Sequence, residues 1–360
     1  MGRRDGDGAR RGSVEWRLPV APPISRGMAS RRDFVTALGA LAAGFRLPLD
    51  RLGLTSRAPL YPPMDLSRFD RPVTPAPADI RFGYAAITWG GEDLKAIEEI
   101  AAVGFRGIQL RSNILPSFGA RPTALRELLD RRGLTFVALS SGAVNADPAL
   151  GDSVVAEHAG HAKFVHDAGG AYLQVTDQRP ANRPPTAADY TRLGGLLTAI
   201  GRRSADLGVP LGYHPHVGSM GEKPGEVDRV LDASDPRYVK LLLDVAHYQQ
   251  GGGDPVQAVR RYRERLLFLH IKDVQSPAPD GKGPFRFVEL GRGTVDLPAI
   301  FAALEEIRFR GWAVVELDSV PDTTGSPKES ALISRKYLEE RLGVRFETAV
   351  QPDDAPEAPW

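Results

Sequence analysis

Between residues 80 and 342 one two-part unit recurs: a short apolar run rich in β-branched residues, then a longer run with helical spacing. A parallel sheet with crossover helices requires this alternation, because each strand must be returned to the same end of the sheet before the next begins. The strand runs are Arg81–Ile87, Arg106–Arg111, Leu134–Ser140, Ala171–Thr176, Val209–His214, Val239–Asp244, Leu266–Ile271 and Trp312–Leu317. Helical runs between them include Asp93–Ala102, Thr123–Arg132, Asp189–Leu207 and Leu297–Ile307. Gly104, Gly133, Gly169, Gly208 and Gly311 stand between a helical run and the next strand, where a left-handed cap favours a residue without Cβ. Eight units over about 250 residues match a closed (β/α)₈ barrel, and an α/β TIM barrel is the expected single catalytic domain over residues 80–345. A doubly wound open sheet is the alternative. It carries a Gly-rich phosphate turn after its first strand, and Gly90-Gly91 lacks that spacing.

The flanks do not share the repeat. Residues 1–27 are rich in Arg and Gly without apolar periodicity, and are expected to be disordered or to lie upstream of a true start at Met28. Residues 28–50 open with Ser30-Arg31-Arg32-Asp33-Phe34-Val35 and stay uncharged to Phe45, which resembles a twin-arginine export signal. Export to the periplasm is therefore expected, with the cytoplasm as the alternative. A stable membrane span is not, since that needs roughly 20 apolar residues. Residues 51–79, with Pro62, Pro63, Pro72, Pro75 and Pro77, read as a linker, and residues 346–360 as a disordered tail.

A formal net charge of +1 gives no field for holding a polyanion, so nucleic acid is not an expected partner. With no cysteine in the chain, any metal must be held by His, Asp or Glu. Oligomeric state does not follow from the sequence, a homo-oligomer being as compatible as a monomer.

In such a barrel the functional groups sit at the carboxyl ends of the strands. Strands five to eight end Tyr213-His214-Pro215-His216, Leu243-Asp244-Val245-Ala246-His247, His270-Ile271-Lys272-Asp273 and Val315-Glu316-Leu317-Asp318. Neighbouring strands lie about 4.8 Å apart, so His214, Asp244, His270 and Glu316 are expected to converge near the barrel axis. That N/O donor set suits one divalent metal, Mn²⁺, Co²⁺, Zn²⁺ or Fe²⁺, better than Ca²⁺. Each residue alone has a plainer explanation, a helix cap for the Asp or a core position for a His. Their coincidence on consecutive strands is the signal.

These residues resemble the xylose-isomerase-like barrels, a family of sugar isomerases, ketose 3-epimerases and inosose dehydratases. The similar segments are Leu242-Leu243-Asp244-x-x-His247, Leu269-His270-Ile271-Lys272-Asp273, Gly291-x-Gly293-x-Val295-Asp296 and Gly311-Trp312-x-x-Val315-Glu316. Ile87-Thr88-Trp89-Gly90 and Tyr213-His214-Pro215-His216-Val217-Gly218 are most similar to the inosose-dehydratase-type branch. The family's metal set of Glu, Asp, His and Glu on strands five to eight falls here on His214, Asp244, His270 and Glu316. His214 departs from it, and His216 is the alternative ligand there. Losing that Glu argues against two-base epimerisation and favours one-base isomerisation or elimination.

The expected chemistry is proton abstraction next to a carbonyl of a sugar, keto-sugar or inosose, assisted by the metal. Glu316, His216 and His247 are the candidate bases, and Lys272 a candidate acid or oxyanion partner, with a salt bridge to Asp273 or Asp244 as its structural alternative. Trp89, Arg111 and His247 are candidate substrate contacts, core filling being the alternative for Trp89. Loop arginines Arg179 and Arg183 are further specificity candidates. Two rival functions remain: a non-catalytic exported sugar-binding barrel, and a metal-dependent phosphodiesterase of the apurinic-endonuclease type.

Overall fold

The structure, a computed structural model, describes residues 79–346 apart from 279, 280, 282, 322 and 323. The expected export signal, the expected linker to residue 78 and the expected tail beyond residue 346 lie outside the described residues. Among the described residues no helix is long and apolar enough to cross a membrane.

Eight parallel strands close into a barrel, each beside its chain neighbour and the last beside the first. The barrel strands are β1 (Asp79–Ala85), β2 (Gly107–Arg111), β3 (Thr135–Asn145), β4 (Tyr172–Gln178), β5 (Leu211–Tyr213), β6 (Val239–Asp244), β7 (Leu266–Ile271) and β10 (Arg310–Val315). All eight expected strands are present, and helices such as Asp93–Val103, Ala187–Ala205 and Leu297–Glu306 follow them as expected. Not foreseen is an antiparallel hairpin, β8 (Asp273–Gln275) with β9 (Arg286–Val288), inserted after β7.

The barrel interior changes character along its axis. Ala85, Val137, Ala138, Leu242, Phe268, Trp312 and Val314 form a dry plug, with Tyr172 stacked on Phe268 at 5.2 Å between ring centroids. Gly212 packs closely here, and a Cβ on it would meet the Phe268 ring at 3.2 Å. Side chains alternate along a strand, so the next inward position after Gly212, Leu242, Phe268 and Val314 is His214, Asp244, His270 and Glu316. One step along each strand takes the interior from apolar floor to polar site.

Three strands stop short of where their apolar runs end, the first being β1, which closes at Ala85 where a 3-10 turn over Ala86–Trp89 begins. Pro215 has no N–H to give the ladder, and β5 closes at Tyr213, with His214 N still donating to Val175 O at 2.8 Å. β10 closes at Val315, and Glu316 N donates to Ile271 O at 3.2 Å.

Candidate active site

Asp244 ends β6 and begins the helix Val245–Gln250. Its Oδ1 accepts from the N–H groups of Ala246 and His247, both at 2.9 Å, and so caps that helix. The other oxygen, Oδ2, is buried without a hydrogen-bond partner. His214 Nε2 lies 3.8 Å and His270 Nδ1 3.6 Å from it, and both nitrogens are likewise buried and unpartnered. Glu316 Oε1 stands 3.3 Å from the same His270 nitrogen. His214, Asp244, His247 and Glu316 each offer a donor atom within 4.8 Å of the others.

Both nitrogens of His247 face groups that only donate, and a neutral imidazole accepts at one of them. Val217 N donates to Nδ1 at 3.5 Å, and Nε2 lies 3.3 Å from Lys272 Nζ. The Lys272 ammonium is fully buried and clamps Glu316 Oε1 at 3.1 Å and Asp318 Oδ1 at 2.6 Å, with the Phe287 ring 4.1 Å away. Its nearest partners are Glu316 and Asp318, and Asp244 Oδ2 stands 3.9 Å away, so the expected pairing with Asp244 is present and that with Asp273 is not. Asp273 faces elsewhere, accepting from the N–H groups of Val274, Gly291, Gly293 and Val295. That network gives the Gly291-x-Gly293-x-Val295 segment its physical reason, since a Cβ on Gly293 would fall on Asp273 Oδ1.

Three carboxylates, Asp244, Glu316 and Asp318, surround the one ammonium of Lys272, so the cluster favours a further positive charge. Burial works against a charged His270, yet Glu316 and Asp244 outweigh it and push its pKa up to about 9. Burial, reinforced by His270, holds His214 well below the ordinary histidine value, and burial with Lys272 does the same to His247. Burial also opposes the charge of Glu316, but His270 and Lys272 hold its carboxyl well below the usual range.

Above the cluster opens a cavity of 510 Å³ lined by His216, Val217, His247, Phe285, Phe287 and Asp318 among others. His216 Nδ1 is 2.8 Å from Val217 O, which only accepts, so that nitrogen carries the proton and Nε2 keeps a lone pair. The His216 and His247 ring centroids lie 3.6 Å apart with the planes tilted by 40°. Phe285 and Phe287 come from the inserted hairpin, and no apolar pattern in the sequence marked them as a wall.

Trp89 and Arg111 are not brought to this cavity. Trp89 is buried edge-on against Tyr84, and its Nε1 donates to Glu99 Oε2 at 2.7 Å. Arg111 is exposed at the end of β2, beside Asp93. Arg179 and Arg183 line a separate 270 Å³ cavity, where Arg179 pairs with Glu226 at 3.1 Å and Arg183 with Asp189. The sequence reading also missed two inward amides. Gln109 on β2 meets His270 Nε2 at 2.8 Å, and Gln174 on β4 meets His214 Nδ1 at 3.0 Å.

The family profile described as the xylose isomerase-like TIM barrel matches residues 97–341. The chain belongs to this family. Among xylose isomerase-like relatives, the inosose dehydratase of Lacticaseibacillus casei is 27% identical over 299 residues, covering 74% of this chain and 98% of that protein. The inosose dehydratase of Geobacillus kaustophilus (strain HTA426) is 27% identical over 293 residues, covering 72% and 94%. Among solved structures of the same barrel, the IOLI protein with a binding zinc atom superposes with a TM-score of 0.61 at 19% identity, covering 72% of this chain and 97% of that one. The 3-keto-D-glucoside 4-epimerase YcjR from E. coli gives 0.59 at 17% identity, covering 72% and 99%.

Proposed function

We propose that this chain is a divalent-metal-dependent dehydratase that removes the proton alpha to a carbonyl of an inosose or related cyclic keto-sugar and expels a neighbouring hydroxyl as water. The chain is an enzyme, and the proteins it resembles include inosose dehydratases, a 3-keto-D-glucoside 4-epimerase and a sugar phosphate isomerase/epimerase. The observation that carries the proposal is the meeting of three buried, unpartnered atoms, His214 Nε2, Asp244 Oδ2 and His270 Nδ1, beside Glu316 and under the open cavity. Unpartnered buried polar atoms are costly, about 1–3 kcal/mol each, and a cation between them removes that cost.

These residues fit a metal: His214, Asp244 and Glu316 stand with His247 in the tighter donor cluster, but His270 offers a buried Nδ1 with no partner where His247 Nε2 faces the Lys272 ammonium at 3.3 Å, so His270 is the better fourth ligand. The mixed N/O set agrees with Mn²⁺, Co²⁺, Zn²⁺ or Fe²⁺, and zinc in the IOLI protein supports that range. When bound, the metal supplies Lewis-acid polarisation of the substrate carbonyl.

The remaining chemistry falls to side chains on the cavity wall. His216 presents the Nε2 lone pair and accepts the proton from carbon. It can hand the same proton to the departing hydroxyl on the same face, so elimination needs no second base, whereas epimerisation needs one on each face. Glu316, bound by Lys272 and held well below its usual pKa, is a better ligand than base. Phe285 and Phe287 offer an apolar wall to the C–H face of a ring, and Asp318 an acceptor for its hydroxyls. Lys272, behind Phe287, holds Glu316 and Asp318 in place.

The test is turnover of a panel of inososes, keto-sugars and 3-keto-glycosides by metal-loaded and chelator-stripped protein, followed by loss of one water in the product mass. Dehydration that stops on stripping and returns with metal is expected. Equal turnover by stripped protein, or no turnover of any inosose, sinks the proposal.

A further inference from the structure

The two inward amides, Gln109 and Gln174, lie on opposite sides of the metal-centre candidates and hold two of them by the nitrogen that faces away from Asp244. Gln109 reaches from β2 across the barrel to β7, and its Oε1 lies 2.8 Å from His270 Nε2. An amide oxygen only accepts, so His270 Nε2 carries a hydrogen, and the atom left to bind a cation is the unpartnered Nδ1 beside Asp244 and Glu316.

Gln174 meets its partner with the other end of its amide. Its Nε2 lies 3.0 Å from His214 Nδ1, while its Oε1 is buried without a partner. With the amide this way round, a neutral His214 would accept at Nδ1 and carry its hydrogen on Nε2, the atom that faces Asp244 Oδ2 at 3.8 Å, and the amide oxygen would stay unpaired. A protonated nitrogen has no lone pair for a metal. Turning the amide over exchanges its oxygen and nitrogen at nearly constant shape, lets Oε1 accept from Nδ1–H, and frees Nε2.

We propose that Gln109 and Gln174 are positioning residues that set which imidazole nitrogen of His270 and His214 faces the metal, Gln174 doing so with its amide oriented so that Oε1, the end otherwise left without a partner, accepts from Nδ1–H of His214. This rests on the metal-centre reading above. A carboxylate at either position would fix the same tautomer, but it would add a fourth negative charge to a cluster that holds Asp244, Glu316 and Asp318 against Lys272. Neutral amides fix the rings without that charge. Outer partners of this kind typically change metal affinity by about 10–100-fold.

The experiment uses the full chain loaded with Co²⁺ and labelled with ¹⁵N in its histidine rings, read by the paramagnetically shifted imidazole N–H signals. Wild type is expected to show two slowly exchanging N–H groups, Nδ1–H of His214 and Nε2–H of His270. Gln174→Leu should lose protection of the first alone and Gln109→Leu of the second alone, each with Co²⁺ affinity weakened about 10–100-fold against a competing chelator. Gln174→Glu and Gln109→Glu should restore the protected signal. A purely packing role would lower the melting temperature of the metal-free protein and leave both signals and the affinity unchanged, which overturns the proposal. If a leucine variant does not fold, wild type decides alone: a Co²⁺-bound His214 bearing no protected Nδ1–H overturns the part of Gln174, and an unprotected His270 Nε2–H that of Gln109. Protein that takes up no Co²⁺ overturns the metal centre itself, a result distinct from Co²⁺ bound with unprotected rings.

Discussion

Asp244 Oδ2 stands 3.6 Å from His270 Nδ1, each atom buried and each without a hydrogen-bond partner, while the other oxygen of the same carboxylate caps a helix. Asp244→Asn separates the two duties. Its amide oxygen can still accept from Ala246 and His247, preserving a cap worth about 1 kcal/mol, but the charge facing His270 is gone. Metal per chain, measured after dialysis against a weak chelator, should fall by more than about tenfold with the circular dichroism of the barrel unchanged. Asp244→Ala loses the metal and the cap together. Full metal occupancy in Asp244→Asn would remove Asp244 from the centre.

Asp273 holds the chain entering the helix Leu297–Glu306 by accepting four backbone N–H groups, those of Val274, Gly291, Gly293 and Val295. Asp273→Ala leaves them without their acceptor in a partly buried loop. The expected loss of stability is about 3 kcal/mol or more, read as a lower denaturant midpoint at unchanged slope. A midpoint within error of wild type would show that water replaces the carboxylate at no cost.

The barrel was legible because each strand and helix carries its own period and the glycines mark the joins. Asp244, His270 and Glu316 were legible for a related reason: each follows an apolar residue of the plug by two positions and breaks the pattern that Leu242, Phe268 and Val314 set. Gln109 and Gln174 leave a fainter mark, one uncharged amide in Gly107-Ile108-Gln109-Leu110 and one in Leu173-Gln174-Val175, which neither charge nor histidine content singles out. Phe285 and Phe287 were not legible. Their place over the site comes from the register of the hairpin, Val274 opposite Phe287 and Gln275 opposite Arg286, which no local spacing encodes. Trp89 shows the converse, an aromatic at a strand end whose indole N–H is satisfied by Glu99 in the helix layer.

Away from the site, His158 is expected to make the fold sensitive to acid. Ser141 Oγ sits between His158 Nδ1 at 2.6 Å and His161 Nδ1 at 2.7 Å, under the helix Gly151–Asp167. Burial first, and then the charge on His161, lowers the His158 pKa from 6.5 to about 4. The unfolded chain therefore takes up a proton at His158 below 6.5 that the folded chain refuses until about 4. Stability from this group is complete above the unfolded value and is lost as pH falls through that window, about 3 kcal/mol in all. His158→Gln removes the penalty. Between pH 7 and pH 4.5, wild type should lose about 2 kcal/mol more unfolding free energy than the variant, measured in urea. Equal losses in the two proteins would place the acid sensitivity elsewhere.

The choice of base can be decided by hydrogen exchange. His216 donates Nδ1–H to Val217 O, which fixes the tautomer and leaves Nε2 as the acceptor on the cavity wall. Glu316 is buried against Lys272 and His270, whose charges oppose its taking a proton. His216→Gln should keep its metal and slow exchange of the substrate's alpha hydrogen in deuterium oxide by ~10²–10⁴, the usual cost of removing a positioned base. Glu316→Gln should first weaken metal binding, and its exchange rate should recover when metal is raised to saturation, because the loss lies in the ligand set rather than in the proton acceptor. The opposite pattern, exchange preserved in His216→Gln and abolished in metal-saturated Glu316→Gln, would make Glu316 both ligand and base and leave His216 as a wall of the cavity.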